Sequence, residues 1–170
     1  MLNKKEIQEL IERKKIVEGY INLEKQLTPN GIDLTAATLS RFSKTGSLDF
    51  SNKERVIPEA EEISVKKKNK EDKYGWWRLA PGPYKVKTNE IVNLADDLIA
   101  LAFSRTSLLR IGCLTQHGVW DAGFSGKGEF ILMVHNPAGV EIKENARLVQ
   151  LVFYKIKQTE KYNGIHKNLT

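Results

Sequence analysis

The sequence has little cysteine and no long apolar run, and each shortage excludes a class of protein. The single cysteine, Cys113, excludes an internal disulfide and a cysteine-based metal cluster. No apolar run approaches the roughly 20 residues that a membrane-spanning helix needs. The first fifteen residues, MLNKKEIQELIERKK, lack the apolar core and the small-residue cleavage site of a secretory signal. We therefore expect a cytoplasmic protein with no membrane partner.

The chain has an excess of positive charge, which suggests an anionic partner. Its 170 residues carry a formal net charge of +6, with lysines concentrated in 64–73 and in 155–167. Nucleic acid and a polyphosphate ligand both fit such a charge. The sequence lacks zinc-finger spacing and an aromatic-rich RNA-binding strand, so a solvated surface is the better interpretation. We predict no nucleic-acid partner, and we interpret 43–75 as a charged, exposed excursion.

The order of apolar segments and turns predicts one mainly β domain over 1–170. Asn3 and Glu6 form a capping-box pattern, and apolar residues then recur at helical spacing, which predicts a helix over 4–18. Short strand-like segments follow, separated by turn signals such as TPNG and NPAG, as in an antiparallel sandwich or barrel. We divide the domain into an N-terminal helical segment (1–27), a β core (28–156) and a C-terminal tail expected to be mobile (157–170). The predicted strands are 31–39, 53–57, 75–79, 83–88, 90–94, 98–103, 128–136, 140–142 and 146–156.

The segment SRTSLLRIG, residues 104–112, has the features of a phosphate-binding turn. Ser104 predicts the N-cap of a short helix, and Gly112 predicts its end. Hydroxyl groups and the guanidinium of Arg105 lie beside the unpaired N–H groups of the first turn, where the helix dipole favours negative charge. The alternative is that the hydroxyls only cap the helix and that Arg105 belongs to a structural ion pair. The segment by itself leaves both interpretations open.

Asp121 lies at a turn between two apolar runs, in the stretch HGVWDAGFSG. Its apolar neighbours predict a partly dry niche in which a carboxylate can act as a general base, with the ring of Phe124 beside it. A turn aspartate that only bonds its own backbone is the alternative. Further polar candidates are Gln116 and His117 just upstream, and Gln150 between apolar neighbours, where its amide requires a partner.

Four motifs in order make the sequence similar to the dCTP deaminase/dUTPase superfamily over residues 2–166. TPNGIDLTA resembles the first conserved segment, with Asp33 in its usual place. APGPYKVKTNEIVNLADDLIALAFSRTSLLRIG resembles the deaminase-branch pattern that ends in R-S-S-L-x-R, with Thr106 in place of one serine. GVWDAGFSG resembles the hairpin of the uridine pocket, and ARLVQLVF resembles the G-x-R-[IL]-x-Q-L segment. The chain is identified as a member of this superfamily, most similar to its dUTPase branch.

The resemblance implies a fold, an assembly and a ligand. The fold would be a distorted antiparallel jelly roll or β-barrel of the dUTPase-like β-clip type, with an N-terminal helix and one short internal helix. The assembly would be a homotrimer in which neighbouring subunits share each active site. The ligand would be a deoxynucleoside triphosphate with Mg²⁺ as cofactor, the ion being held by the triphosphate without a direct protein ligand.

The residue ten positions after Asp121 separates the two activities that the resemblance implies. Deaminases of this superfamily carry a proton-transferring glutamate there, whereas this chain has Ile131, an apolar residue as in the pyrophosphatase members. Glu129 lies on the same face of a regular strand but about 6 to 7 Å away along it, so deamination is disfavoured. We expect hydrolysis of dUTP to dUMP and pyrophosphate, which removes dUTP and supplies dUMP. The alternatives are a dCTP deaminase, a bifunctional enzyme and a non-catalytic nucleotide-binding regulator.

The resemblance also implies roles for individual residues. Asp121 would be the catalytic base, Asp33 would be structural, and Phe124 would pack against the deoxyribose and exclude a 2′-hydroxyl. Backbone groups around 115–119 would read uracil. The tail would form a lid, although its ending is closer to the deaminase Y-x-G-x-[YH] pattern than to a Gly-rich segment, and an inactive tail is the alternative. The expected phosphate ligands are Arg105, Thr106, Ser107, Arg110 and Gln150; the expected nucleoside contacts are Gln116, Gly118, Val119 and Phe124; the expected lid residues are Tyr162, His166 and Lys167.

Overall fold

The computed structural model, which describes residues 1–167, consists mainly of antiparallel strands around an apolar core. The helices are α1 (Lys4–Lys14), α2 (Leu23–Gln26) and α3 (Thr106–Arg110). The strands are β1 (Val17–Glu18), β2 (Leu27–Thr28), β3 (Gly31–Arg41), β4 (Glu61–Glu62), β5 (Trp76–Leu79), β6 (Gly82–Asn93), β7 (Leu98–Ser104), β8 (Cys113–Gln116), β9 (Ser125–Val134), β10 (Val140–Lys143) and β11 (Arg147–Lys155).

The main sheet runs in the order β7-β11-β3-β6-β9-β8, and each neighbouring pair is antiparallel. Its two outer strands meet where the backbone N–H of Thr115 donates to Ser104 Oγ at 2.8 Å, so the sheet is nearly closed into a barrel. The inward side chains form a continuous core because alternate residues of a strand point to the same face. The mainly β, antiparallel, barrel-like fold with an N-terminal and a short internal helix is therefore confirmed. Fully buried core residues include Leu34, Val86, Leu132, Leu151 and Phe153.

Helix α1 begins as predicted and ends four residues earlier than predicted. Asn3 and Glu6 cap each other's backbone N–H groups, which is the predicted capping box. Lys15 adopts a left-handed conformation (φ 52°) and ends the helix. The prediction of a helix to residue 18 was wrong. Ile16 and Val17 lie beyond the helix and are both buried, and Val17 belongs to β1, which pairs with β6. The same N-terminal segment also contains α2, which the sequence did not predict.

Two strand predictions were wrong because the tertiary environment decides where a strand forms. The segments 83–88 and 90–94 are one strand, β6, with a register shift between Lys87 and Ile91 in its pairing to β9. Residues 53–57 are not a strand: Val56 makes an isolated bridge to Ser47 and is 54% exposed. An apolar, β-branched side chain favours a strand only where a neighbouring surface buries it.

Helix α3 starts later than predicted but ends at the predicted glycine. Ser104 is the last residue of β7, and Arg105 occupies the N-cap position without a side-chain capping bond. The Ser104 hydroxyl instead accepts the β8 backbone N–H described above, so the predicted N-cap was wrong. Gly112 has φ +78°, and its N–H donates to the carbonyl of Leu109 at 3.0 Å. This is the left-handed position that glycine favours after a helix.

Candidate active site

A buried carboxylate anchors the segment that carries the predicted phosphate-binding residues. Asp33 of β3 is 2% exposed, and its Oδ2 lies 2.8 Å from Arg105 Nε and 3.3 Å from Arg147 Nη1. Burial raises the pKa of Asp33, and the two guanidinium groups oppose that rise. Arg105 also donates from Nη1 to the backbone carbonyl of Arg147 at 3.1 Å. Arg105 is therefore in the structural ion pair that the sequence offered as an alternative to phosphate binding, and its side chain is 27% exposed.

The other predicted phosphate-binding residues lie close to this anchor. Thr106, Ser107 and Arg110 are exposed on α3, directly after Arg105. Gln150 of β11 is paired with Asp33 on one side, so it belongs to the same region of the sheet. Its Nε2 donates to Thr28 Oγ1 at 2.7 Å, which gives the amide a side-chain partner. The fold thus gathers a guanidinium, an amide and hydroxyls at one end of β7 and β11.

A cavity of about 470 Å³ lies beside the hairpin that carries Asp121. Of the predicted residues, it is lined by Gly118, Val119 and Phe124 from the nucleoside set and by Tyr162 and His166 from the lid. The predicted phosphate ligands do not occur among its described lining residues. Sequence reasoning missed the rest of the lining: Phe42, Lys85, Trp120, Lys127, Gly128 and Phe130. The signal for the two lysines was present, since they alternate with core residues on neighbouring strands and so face outward together.

Backbone hydrogen bonds hold the hairpin and leave the Asp121 side chain exposed. Trp120 exchanges two hydrogen bonds with Ala100 of β7, each 3.0 Å long. The Asp121 carbonyl accepts the N–H of Phe124 at 3.1 Å, which closes the turn. Gly123 adopts φ +78° within that turn. These bonds thus fix the position of Asp121, which follows the lining residue Trp120 but is not among the described lining residues. Because Asp121 is exposed, the prediction that one chain holds it in a partly dry niche was wrong.

The tail folds back onto the hairpin. The N–H of Tyr162 donates to the carbonyl of Ala122 at 2.7 Å, and its ring lies 5.9 Å from that of Phe124, centroid to centroid. Phe124 is 9% exposed, so the two rings close one side of the cavity. Lys167 is placed by a turn in which its N–H donates to the carbonyl of Gly164, and it is not among the described lining residues. The tail therefore lies where a lid over the cavity would lie.

Gln116 is the last residue of β8, and His117 follows it on the way into the hairpin. His117 packs against Trp120 and Phe130, and its Nε2 lies 2.7 Å from Thr115 Oγ1. Burial lowers its pKa to about 4, so the ring is neutral at pH 7. Its Nδ1 is buried without a hydrogen-bond partner among the described residues. Gln116 is exposed at the end of β8 and pairs with Ile131 of β9.

Strand β9 contributes to the cavity wall the two residues that bear on deamination. Ile131 lines the cavity and is 38% exposed, an unusual exposure for an isoleucine in a strand. Glu129 lies on the same face of β9 and also lines the cavity. Its carboxylate is 3.4 Å from Lys85 Nζ of β6, with both side chains about one-third exposed. Glu129 is therefore engaged in an ion pair at the cavity wall.

A second buried acid, Glu90, was missed as a structural residue. It is fully buried, and its carboxylate accepts hydrogen bonds from Gln26 Nε2 at 2.8 Å and from Thr35 through both its N–H (2.9 Å) and its hydroxyl (2.6 Å). Burial raises the pKa of Glu90, and these donors oppose the rise. Gln26 Nε2 also donates to the backbone carbonyl of Asp33 at 2.8 Å, so the network supports the Asp33 ion pair. The signal was a glutamate in phase with the core positions of β6.

No group of three or more His, Cys, Asp or Glu side chains within residues 1–167 could hold a metal ion. No helix in this range is long and apolar enough to cross a membrane.

A family model described as dCTP deaminase-like matches residues 1–156 of the chain. The chain belongs to the dCTP deaminase-like family. The resemblance inferred from the four motifs is thereby confirmed. A protein of Methanosarcina mazei named "Probable deoxyuridine 5'-triphosphate nucleotidohydrolase" is 39% identical over 171 residues, covering 99% of this chain and 96% of its own. A protein of Archaeoglobus fulgidus with the same name is 37% identical over 168 residues, and the alignment covers 98% of this chain and 95% of that protein.

The crystal structure of the 2'-deoxycytidine 5'-triphosphate deaminase from Agrobacterium tumefaciens has a similar fold, with a TM-score of 0.66 at 17% identity. The match covers 89% of this chain and 46% of that one, so this dCTP deaminase-like chain spans about half the length of the deaminase. At 17% identity the similarity between the two proteins concerns the fold alone.

Proposed function

We propose that the protein is a dUTP diphosphatase that hydrolyses dUTP to dUMP and pyrophosphate. The observation that carries the proposal is that Ile131 lines the cavity beside the Asp121 hairpin, at the position where the resemblance implies the glutamate of a deaminase. An apolar side chain there can neither give nor take a proton. The names of the archaeal relatives, which align over nearly the full length of both chains, support the same substrate.

Asp121 is the general base in this proposal. Its carboxylate takes a proton from a water molecule, and the water oxygen forms a bond to the α-phosphorus. The bond between the α-phosphorus and the oxygen that bridges to the β-phosphate breaks, and pyrophosphate leaves with that electron pair. Asp121 suits the role because its side chain is exposed while its backbone is held by the turn and by the bonds of Trp120 to β7.

The nucleoside occupies the cavity between the hairpin and the tail. Phe124, packed by Tyr162, lies against the deoxyribose and leaves no space for a 2′-hydroxyl. Backbone groups of Gly118 and Val119, with Gln116 nearby, contact the uracil edge, since donors and acceptors in fixed positions can oppose the pattern of another base. Tyr162 and His166 form the lid, with Lys167 beside them toward the phosphates.

The phosphates are held by Arg105, Thr106, Ser107, Arg110 and Gln150. The partly exposed Arg105 side chain and the hydroxyls of α3 offer donors to phosphate oxygens. Mg²⁺ would be held by the triphosphate oxygens, because residues 1–167 offer no acidic or histidine cluster for it. When bound, the ion offsets the charge of the triphosphate.

A homotrimer with shared active sites supplies the phosphate ligands to the cavity. Within one chain the described lining residues of the cavity include none of the five phosphate ligands. Apolar side chains near α3 are exposed, with Phe103 at 55% and Leu109 at 52%, as expected for a surface that a second copy covers. In this arrangement α3 of one subunit delivers phosphate donors to the cavity of its neighbour.

Deamination of dCTP is the second candidate, because Glu129 also lines the cavity. Its ion pair with Lys85 disfavours that role, since the pair holds the carboxylate against the cavity wall. The deaminase interpretation would therefore require Glu129 to leave this pair.

A product assay tests the proposal. Purified protein is incubated with Mg²⁺ and either dUTP or dCTP, and the nucleotides are separated by chromatography. We expect dUMP and pyrophosphate from dUTP, no change in dCTP, and loss of turnover in Asp121→Asn but not in Asp72→Asn, an acid of the 43–75 excursion. Release of dUTP or dUMP from dCTP would refute the assignment and make Glu129→Gln the next variant.

A further inference from the structure

Lys85 is a charged side chain on the cavity wall that the proposed reaction does not use. It lies on β6, is 31% exposed, and lines the same cavity as Phe124 and Ile131. Most of the surrounding lining is apolar or glycine. A partly buried cation on a mostly apolar wall interacts more strongly with a bound molecule than it would in bulk water.

The register of the strands determines how Lys85 is held. Its Cα partner on β9 is Ile131, which offers no charge, and Glu129 is the diagonal neighbour on the same face. The ammonium group reaches this diagonal carboxylate at 3.4 Å. One carboxylate leaves other N–H groups of the ammonium available, because lysine has three donors and no acceptor. Lys85 is thus anchored at the wall and retains donors for a ligand.

We propose that Lys85 is a specificity-determining residue that selects a pyrimidine with a carbonyl, not an amino group, at C4. This inference rests on the proposed function, in which Phe124 packs on the sugar and the backbone of Gly118 and Val119 contacts the uracil edge, and it adds that the C4 substituent faces Lys85 in the same cavity. A carbonyl accepts a hydrogen bond from the ammonium group. The amino group of cytosine is itself a donor, so it would place two donors against each other and leave both unsatisfied. Glu129 has the role of a positioning residue, because it holds the ammonium in place before the ligand binds.

Binding of dUMP and dCMP by isothermal titration calorimetry tests the proposal without requiring catalysis. In Lys85→Met, which keeps the apolar stem and removes the charge, we expect the preference for dUMP over dCMP to fall by about tenfold or more. In Lys155→Met, a change at the exposed end of β11 outside the described cavity lining, the preference is expected to stay within about twofold of wild type. An unchanged preference in Lys85→Met, or an equal loss in Lys155→Met, would overturn the proposal.

Glu129→Gln serves as a second variant in case Lys85→Met does not fold. It removes the anchor and is expected to reduce the same preference by a smaller factor, whereas an unchanged preference would count against the inference. Kinetics on dUTP separate the role from catalysis, since a specificity residue is expected to raise KM more than it lowers kcat. Wild-type protein that prefers dUMP but releases no pyrophosphate from dUTP would refute the proposed function alone. Wild-type protein that hydrolyses dUTP while Lys85→Met keeps the full preference would refute this inference alone.

Discussion

His117 is expected to make the protein sensitive to mild acid, and His117→Phe is expected to remove most of that sensitivity. The imidazole is packed between the rings of Trp120 and Phe130, and burial lowers its pKa from 6.5 to about 4. The unfolded chain therefore binds a proton at a higher pH than the folded chain does. The contribution of His117 to stability is complete above pH 6.5 and is lost as the pH falls toward 4.

The magnitude follows from the two pKa values. Between pH 7.5 and pH 5.0, protonation of the unfolded state at His117 is expected to reduce the free energy of unfolding by about 2 kcal/mol. Phenylalanine keeps the aromatic packing but loses the contact to Thr115 Oγ1, which costs about 1 kcal/mol. It also removes the unpaired, buried Nδ1, which offsets part of that cost. At pH 7.5 the variant should therefore be close to wild type in stability.

Urea denaturation at pH 7.5 and pH 5.0, at one fixed protein concentration, measures the effect. The free energy of unfolding of wild type minus that of His117→Phe should fall by about 2 kcal/mol from the higher to the lower pH. The raised pKa values of Asp33 and Glu90 act in the opposite direction, but they are present in both proteins and cancel in this difference. His135→Gln, a change at an exposed histidine, should keep the wild-type dependence. If His117→Phe loses as much stability on acidification as wild type does, the reasoning is wrong.

Three further substitutions test the anchor, the helix end and the sugar pocket. Asp33→Asn removes the carboxylate shared by Arg105 and Arg147 and should lower the free energy of unfolding by about 2 to 4 kcal/mol in urea denaturation. A decrease of less than about 0.5 kcal/mol would contradict the anchoring role. Gly112→Ala should lower the free energy of unfolding by about 1 to 3 kcal/mol in the same assay, because φ is +78° and the new Cβ would lie 2.9 Å from a side-chain atom of Asn136. An unchanged free energy of unfolding would contradict this reasoning. Phe124→Ala should raise kcat/KM for UTP relative to dUTP, and UTP remaining as poor a substrate as in wild type would exclude a role for this ring in sugar selection.

The sequence predicted features that depend on local spacing. The capping box at Asn3 and Glu6 and the glycine that ends α3 each involve contacts within a few residues, so the pattern of residue types was enough. Strand β3 was also predicted because its apolar run is bounded by clear turn signals. These elements do not depend on which strand becomes the neighbour of which.

Features that depend on strand pairing were not predictable in the same way. The partner of Arg105 is Asp33, 72 residues earlier, and no local spacing indicates that β3 and β7 both pair with β11. The position of Lys85 beside Ile131 likewise depends on the register of β6 against β9. The alternation of charged and apolar residues indicated which face of β6 and which face of β9 points outward. Only the pairing of the two strands shows that these faces together form one wall of the cavity.

Burial and hydrogen bonding distinguish the acid that is available for chemistry from those that hold the fold. Glu90 and Asp33 are both buried, and their carboxylates are engaged by the hydrogen bonds of Gln26 and Thr35 and by two guanidinium groups, respectively. Replacing either acid would disturb the strands that carry the site. Asp121 is exposed, and the backbone of its turn is fixed by other residues, so its carboxylate can meet a water molecule without unfolding anything. Loss of activity in Asp121→Asn with unchanged stability would therefore separate a chemical role from a structural one, whereas the same loss in Asp33→Asn would not.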